Sequence, residues 1–411
     1  MSNRDEVVLE MLRGFVPIGD QRRRCQLSRG TKLRLTCSAV LALLLKQFVQ
    51  IRQLAGWRQV TSTVSEARGF KVQTKGSSFA ETKGGFYLSR EDVAAFEQTG
   101  IVGPFDVLST EDSAALSHRA EDLHENDFDG KILIGNQIAP IMRRAGLWSI
   151  NYSGMFQALR FPEFAAVLHH PAITHRLASL LGDDLILWRS QFFEKKPGAD
   201  GTFWHQTGTF RENSKAQKLV PAADTDPSLV QLTAWVALTD SAVANGCLRF
   251  LPCSFEDGRF ERMAYELFDN QFGALRGLSY EELMNGVWAM KHTTGNFTKA
   301  QFLFDVIVKR IPDLFEHAVI EDIEMKAGQC VIFTSMNMHA SYPNITATET
   351  RLALAGRYTT NDVRVTAVHD GDIFTTPEGD HQFAKDGIGC MQVHGEDRFG
   401  HNTILPRPRI G

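Results

Sequence analysis

The sequence predicts an α+β chain built on a β-sandwich or barrel. Helix-start signals cluster between Gly84 and Gly182, and six short apolar runs follow, separated by Gly, Pro, Asn or Asp turns. A 411-residue chain that is 43% apolar and 22% charged can bury a core without disulfide or metal staples.

Taken in order, Ser89 with Asp92 three residues on, and Ser109-Thr110 with Glu111 and Asp112, each precede apolar residues at helical spacing. A side-chain oxygen at such a position satisfies an amide of the first turn, so both mark helix starts. Glu163–Leu168 and Pro171–Leu181 read as two more helices, with His169 and His170 on the surface between them. The strand-like runs are Leu185–Trp188, Gln191–Lys195, Leu232–Leu238, Cys247–Leu251, Cys330–Thr334 and Leu352–Thr359, rich in Val, Leu, Phe and Trp. Asn245-Gly246 reads as a β-turn before the fourth of them. Between Phe255 and Asp322 the pattern turns helical again, with a break at Pro312, as an insertion over one mouth of the barrel would. The tail from Gly371 to Gly411 is open to two readings, a flap over the site or a segment without fixed structure. The chain contains no GxGxxG, Walker loop, GxSxG or internal repeat.

The net charge of −4 excludes a nucleic-acid binder as a whole. It also conceals an imbalance, because residues 1–80 carry 14 Lys/Arg against 5 Asp/Glu. Within that arm Leu35–Leu45 is apolar and flanked by Lys32, Arg34 and Lys46. Eleven residues fall short of the roughly 18–20 a spanning helix needs. The run starts late, after GDQRRRCQLSRGTK, and no small-residue cleavage site follows, so a signal peptide is not expected. Two readings stay open: a helix packed on the main domain, or one making peripheral contact with an anionic membrane or a partner. Residues 61–83 are polar and Ser/Thr-rich, as a linker is. The expected division is therefore a basic extension and linker over 1–83 and a catalytic domain over 84–411. Six cysteines without a CxxC pair indicate neither a disulfide framework nor a cysteine zinc site, and a reducing cytoplasm fits them.

The chemistry concentrates in GTFWHQTGTF at 201–210 and MHASYPNITATETRLALAGRY at 338–358. His205 is strand-borne and His339 follows the buried run CVIFTS; Arg351 comes twelve residues later and Arg357 six beyond that. Two imidazoles from different strands can point into a barrel mouth and bind a divalent metal. An inward arginine can hold a carboxylate with two parallel hydrogen bonds. Each histidine alone, among thirteen, reads more readily as structural. Their combination with Arg351 and the NGCLRFLP turn carries the functional reading. His292, His369, His381, His394 and His401 have no partners at recognisable spacing. Phe192, Phe193 and Phe210 read as barrel packing, and Cys247 and Cys253 as small buried residues.

Residues from about 84 to 365 resemble the phytanoyl-CoA dioxygenase family of iron(II)- and 2-oxoglutarate-dependent oxygenases. The resemblance lies in LSREDVAAFEQTGIVGPF, the WHQ at 204–206, WVALTDSAVANGCLRFLPCS at 235–254, and His339 with PNIT and the later Arg351, in the family's order. It implies a double-stranded β-helix, a jelly-roll or cupin-like barrel, with flanking helices and a helical insertion at about 255–325. It further implies Fe(2+), 2-oxoglutarate and O2 as cofactors, His205 and His339 as iron ligands, and Arg351 as the clamp on 2-oxoglutarate. Thr202 and Trp235 would help seat 2-oxoglutarate, and Phe193 and Phe210 would wall a substrate pocket.

One position departs from the family pattern: the metal-binding carboxylate expected two residues after His205 is Thr207. Glu212, Asp224 and Asp226 lie at spacings that give no support for a replacement. In this the chain is similar to the subgroup that halogenates unactivated aliphatic carbons, as in syringomycin biosynthesis, where a small residue replaces the acid and chloride binds the iron. The similarity implies chloride or bromide as a further cofactor, a halide pocket at Thr207, Gly208, Thr233 and Arg357, and catalytic roles for Thr207 and Arg357. Threonine is larger than the Ala or Gly usual there. The expected activity is chlorination of an sp3 carbon in natural-product biosynthesis, on a free small molecule or one tethered to a carrier protein. A hydroxylase of the same family and a non-catalytic relative are the alternatives.

Overall fold

A computed structural model describes residues 74–127, 150, 160–199, 201–205, 219–222, 224–251, 320–365, 373–376, 379–382, 389–400 and 402–408. All of them fall in one compact unit, Ser65–Glu266 with Phe304–Gly411. Most of the insertion expected at 255–325, and the basic residues 1–73, lie outside the described residues.

The helices begin where the capping signals put them. After a short turn of helix, α1 (Ala80–Lys83), the Ser89 and Asp92 pair closes a reciprocal capping box at the head of α2 (Arg90–Thr99). Strand β1 (Ile101–Asp106) follows, and Ser109 caps α3 (Thr110–Asp122). Proline opens both α4 (Pro162–Leu168) and α5 (Pro171–Leu181), where a missing amide hydrogen costs nothing. His169 corrects the surface expectation: it is buried between these helices, and its Nδ1 donates to the Ala165 carbonyl at 2.7 Å. His170 does sit at the helix start, its Nδ1 accepting the Ala172 amide at 3.1 Å.

The remaining elements are β2 (Leu185–Lys195), β3 (Thr202–His205), β4 (Leu219–Val220), β5 (Leu232–Ala237), β6 (Leu248–Leu251), β7 (Glu321–Ile323), β8 (Gln329–Thr334), β9 (Met338–Ser341), β10 (Arg351–Thr360), β11 (Arg364–Val365), β12 (Ile373–Thr376), β13 (Gly379–Gln382) and β14 (Met391–His394). The two runs expected at 185–195 are one strand, with a register shift opposite Arg357/Tyr358. Residues 321–323, at the end of the expected helical insertion, are strand instead, paired with β6.

Two antiparallel sheets organise the unit. One has six strands in the order β1-β8-β5-β10-β2-β14, the other four in the order β3-β9-β6-β7. No ladder joins them among the described residues, so the expected closed barrel is here two facing open sheets. The tail supplies β14 at the edge of the large sheet, which corrects the expectation of a flap or an unstructured segment for residues 391–394.

The large sheet is buried on both faces. Its outer face meets α2, α4 and α5 through Phe96, Phe164, Leu177, Phe192 and Leu354, with Phe164 and Phe192 edge-to-face at 5.0 Å. Each such fully buried side chain contributes roughly 1.5–3 kcal/mol. Its inner face meets the small sheet through Trp235, Val331, Phe333, Ala353 and Ala355 on one side and Leu248, Phe250 and Ile323 on the other. Residues 74–88, most of them in the stretch read as linker, are held on the outer layer: Ser78 Oγ donates to Asp183 at 2.8 Å, and the Leu88 amide donates to Ser179 Oγ at 3.0 Å. Among the described residues no helix is long and apolar enough to cross a membrane.

Candidate active site

Alternation along β10 decides what faces the small sheet. Ala353 and Ala355 belong to the inter-sheet core, so Arg351 and Arg357 at the same parity face inward as well. Both arginines are buried, at 3% and 8% exposure. The alanines between them leave the arginines as the only large inward side chains of that strand before Thr360.

A buried cation is costly unless an anion meets it. Among the described residues Arg351 makes one hydrogen bond, from Nη1 to the Phe193 carbonyl at 3.1 Å, and its Nε has no acceptor. Its guanidinium lies 5.2 Å from the Trp235 ring. Burial pushes its pKa down to about 10, which leaves it protonated at neutral pH. The arrangement has the charge, the spare donor and the dry surroundings to take up a carboxylate.

Arg357 stands at the other end of the row. Its Nη1 donates to Thr233 Oγ1 at 2.9 Å, across the register pair Arg357–Thr233. Thr233 is in turn paired with Phe333 of β8, whose ring lies 5.1 Å from the imidazole of His339. That chain of contacts sets His339, on the small sheet, at the level of Thr233.

His339 is held in one tautomer. Its Nδ1 donates to the Asn337 carbonyl at 2.7 Å, so in the neutral ring Nε2 is the acceptor nitrogen, the one a metal would use. His205 is its cross-strand partner in the β3–β9 ladder, and Thr202 is paired with Ser341 in the same ladder. The Thr202 amide donates to Ser341 Oγ at 3.3 Å. Phe193 packs against the inter-sheet core. The structure therefore brings together Arg351 with Trp235 and Phe193, Arg357 with Thr233, and His205 with His339. Thr207, Gly208 and Phe210 lie outside the described residues, as does the His205 side chain.

These donors fit an iron(II) and 2-oxoglutarate pair: a neutral imidazole suits a borderline divalent metal, and the Arg351 Nε calls for a carboxylate. Asn337, Gln231 and Ser335, which shape the site from behind, carry no motif. The one mark in the sequence is that Gln231 and Ser335 each flank a mostly apolar run, LTAWVA and CVIFT, with Asn337 two residues beyond Ser335.

Two facing antiparallel sheets with an inward histidine and an inward, anion-seeking arginine are the frame of an iron(II)- and 2-oxoglutarate-dependent oxygenase. The chain belongs to the phytanoyl-CoA dioxygenase family, whose model matches residues 96–353. The phytanoyl-CoA dioxygenase domain-containing protein 1 of Danio rerio is 32% identical over 103 residues, 25% of this chain. That match spans only about a third, 31%, of the relative's length. The structure of CytC3 with Fe(II) and alpha-ketoglutarate superposes with a TM-score of 0.52 at 23% identity, covering 78% of this chain and 93% of CytC3. A second CytC3 structure gives 0.52 at 24% identity over the same shares. At that identity the likeness is one of fold.

Proposed function

We propose that the chain is a halogenase of this family that chlorinates an unactivated sp3 carbon of a natural-product precursor, free or carrier-tethered. The observation that carries the reading is Thr207: no acid occurs anywhere in GTFWHQTGTF, where a hydroxylase of the family places its metal carboxylate. Losing that acid removes a negative charge and a ligand together, and a halide restores both. The two facing sheets are read as the halves of a double-stranded β-helix.

In this reading His205 and His339 hold the iron, and the Asn337 carbonyl keeps the His339 ring turned toward it. Arg351 grips the far carboxylate of 2-oxoglutarate, Trp235 lies against that guanidinium, and Thr202 seats the same molecule. When bound, iron, 2-oxoglutarate and dioxygen supply the oxidising power to remove a hydrogen atom from an sp3 carbon, with succinate and carbon dioxide released. Arg357 and Thr233 hold the halide's side of the space, and Phe193 with Phe210 walls the substrate. The placement of the substrate carbon by these side chains would decide between halogenation and hydroxylation.

The test is the mass of the product made by the full chain with iron(II), 2-oxoglutarate and a candidate substrate, in chloride, in bromide and in halide-free buffer. A product that gains chlorine or bromine according to the salt supports the proposal. A hydroxylated product in all three buffers makes the chain a hydroxylase of the family.

A further inference from the structure

Behind the arginine row runs one continuous chain of buried hydrogen bonds. Trp188 Nε1 donates to Gln231 Oε1 at 3.1 Å, and Gln231 Nε2 donates to Ser335 Oγ at 2.6 Å. Ser335 Oγ and Thr233 Oγ1 are 3.2 Å apart, and Arg357 Nη1 donates to Thr233 Oγ1 at 2.9 Å. Gln231, Ser335 and Thr233 are each 1% exposed.

Elementary chemistry fixes the direction of nearly every bond. An indole N–H and a guanidinium only donate. Trp188 therefore requires the amide oxygen of Gln231 to face it, which turns the amide N–H toward Ser335. Arg357 likewise requires Thr233 Oγ1 to accept. Both ends of the chain donate inward, so each hydroxyl already accepts one bond. The two hydroxyls carry two protons, and the bond between them uses one. The other has no acceptor among the described residues, and a buried hydroxyl proton left unbonded is destabilising.

We infer that Gln231 is a positioning residue of the anion pocket proposed at Thr233 and Arg357, keeping this surplus donor on the Ser335–Thr233 pair that Arg357 touches. Gln231, anchored by Trp188, prevents Ser335 from donating backward, so the free O–H stays on the Ser335–Thr233 pair. The inference deepens the halide reading and rests on it for the identity of the ion. It adds Gln231, Ser335 and Trp188, none of which belongs to the ligand set described above.

Gln231→Glu tests the polarity of the chain. A carboxylate accepts from both Trp188 and Ser335, so Ser335 donates backward, Thr233 donates to Ser335, and the surplus proton disappears. The readout is thermal unfolding of the full-length chain at constant ionic strength, with methanesulfonate exchanged for chloride or bromide. The wild type is expected to gain stability saturably with either halide. Gln231→Glu is expected to raise the half-saturating concentration about tenfold or more, one charge-assisted hydrogen bond being at stake. Gln231→Met, which leaves a surplus proton but no longer directs it, is expected to raise it about threefold. It carries the test if the glutamate variant does not fold. The 2-oxoglutarate concentration for half-maximal succinate release should stay at the wild-type value in both.

A wild type without a saturable halide response, or variants with the wild-type half-saturation, overturns the inference. Chlorinated product together with unchanged halide dependence in Gln231→Glu would leave the halogenase reading standing and this one fallen. A saturable, Gln231-dependent halide response in a chain that only hydroxylates would do the reverse.

Discussion

Buried Arg351, 3% exposed, and Trp235 lie on neighbouring strands of the large sheet, the guanidinium 5.2 Å from the indole ring. The indole gives the buried guanidinium a cation–π partner, and its planar fork of donors suits a carboxylate. Arg351→Lys keeps the charge but loses both the plane and the second hydrogen bond. The half-saturating 2-oxoglutarate concentration for succinate release should rise by roughly tenfold to a hundredfold, about 1.4–2.8 kcal/mol. An unchanged value would place the clamp elsewhere.

In the proposed halogenase reading, Thr207→Asp puts a carboxylate at the position where the family's metal ligand is expected. Product analysis in chloride should show chlorination abolished, with hydroxylation as the remaining outcome. Chlorination at the wild-type rate would remove position 207 from the account.

Acid should weaken the fold through two histidines. Burial holds His169 below the ordinary value of 6.5. Burial first, and then the charges of His394, Arg176 and Lys83, do the same to His175. The unfolded chain therefore binds more protons than the folded one just below pH 6.5. The stability these groups contribute is complete above 6.5 and is lost as pH falls toward their lowered values. His175 stacks on Tyr87 at 4.4 Å, a contact that phenylalanine can keep without titrating. Urea unfolding at pH 7.5 and 5.5 should show a smaller acid loss in His175→Phe than in the wild type.

Gly246 adopts φ +103, and a β-carbon there would stand 2.6 Å from Lys195 Cδ and 2.9 Å from the Tyr342 carbonyl. Gly246→Ala should cost about 1–3 kcal/mol in chemical denaturation. A neutral result would mean that the turn before β6 can be rebuilt without strain.

What the sequence discloses depends on how far apart the interacting residues are. The helices were legible because a cap and its partner are three residues apart, as Ser89 and Asp92 are. Asn245-Gly246 was legible as a turn for the same reason. Strand β1 was not, because Gly103 and Pro104 interrupt its pattern; at a sheet edge, where β1 lies, such residues are tolerated. His169 looked like a surface residue because its acceptor is a helix carbonyl, which no side-chain pattern announces. His205, His339, Arg351 and Arg357 stood out through the family's spacing. The Gln231–Ser335 bond joins residues 104 positions apart and uses ordinary polar side chains, so only the folded register of β5 against β8 reveals it.

The central claim is that a halide takes the place a carboxylate would hold beside the iron. A crystal of the full chain grown with iron(II), 2-oxoglutarate and bromide, measured at the bromine absorption edge, tests it directly. The account predicts an anomalous peak next to Thr207 on the Arg357 side of the iron. An iron whose remaining position is filled by water or by a protein carboxylate, with no bromide peak, would contradict it.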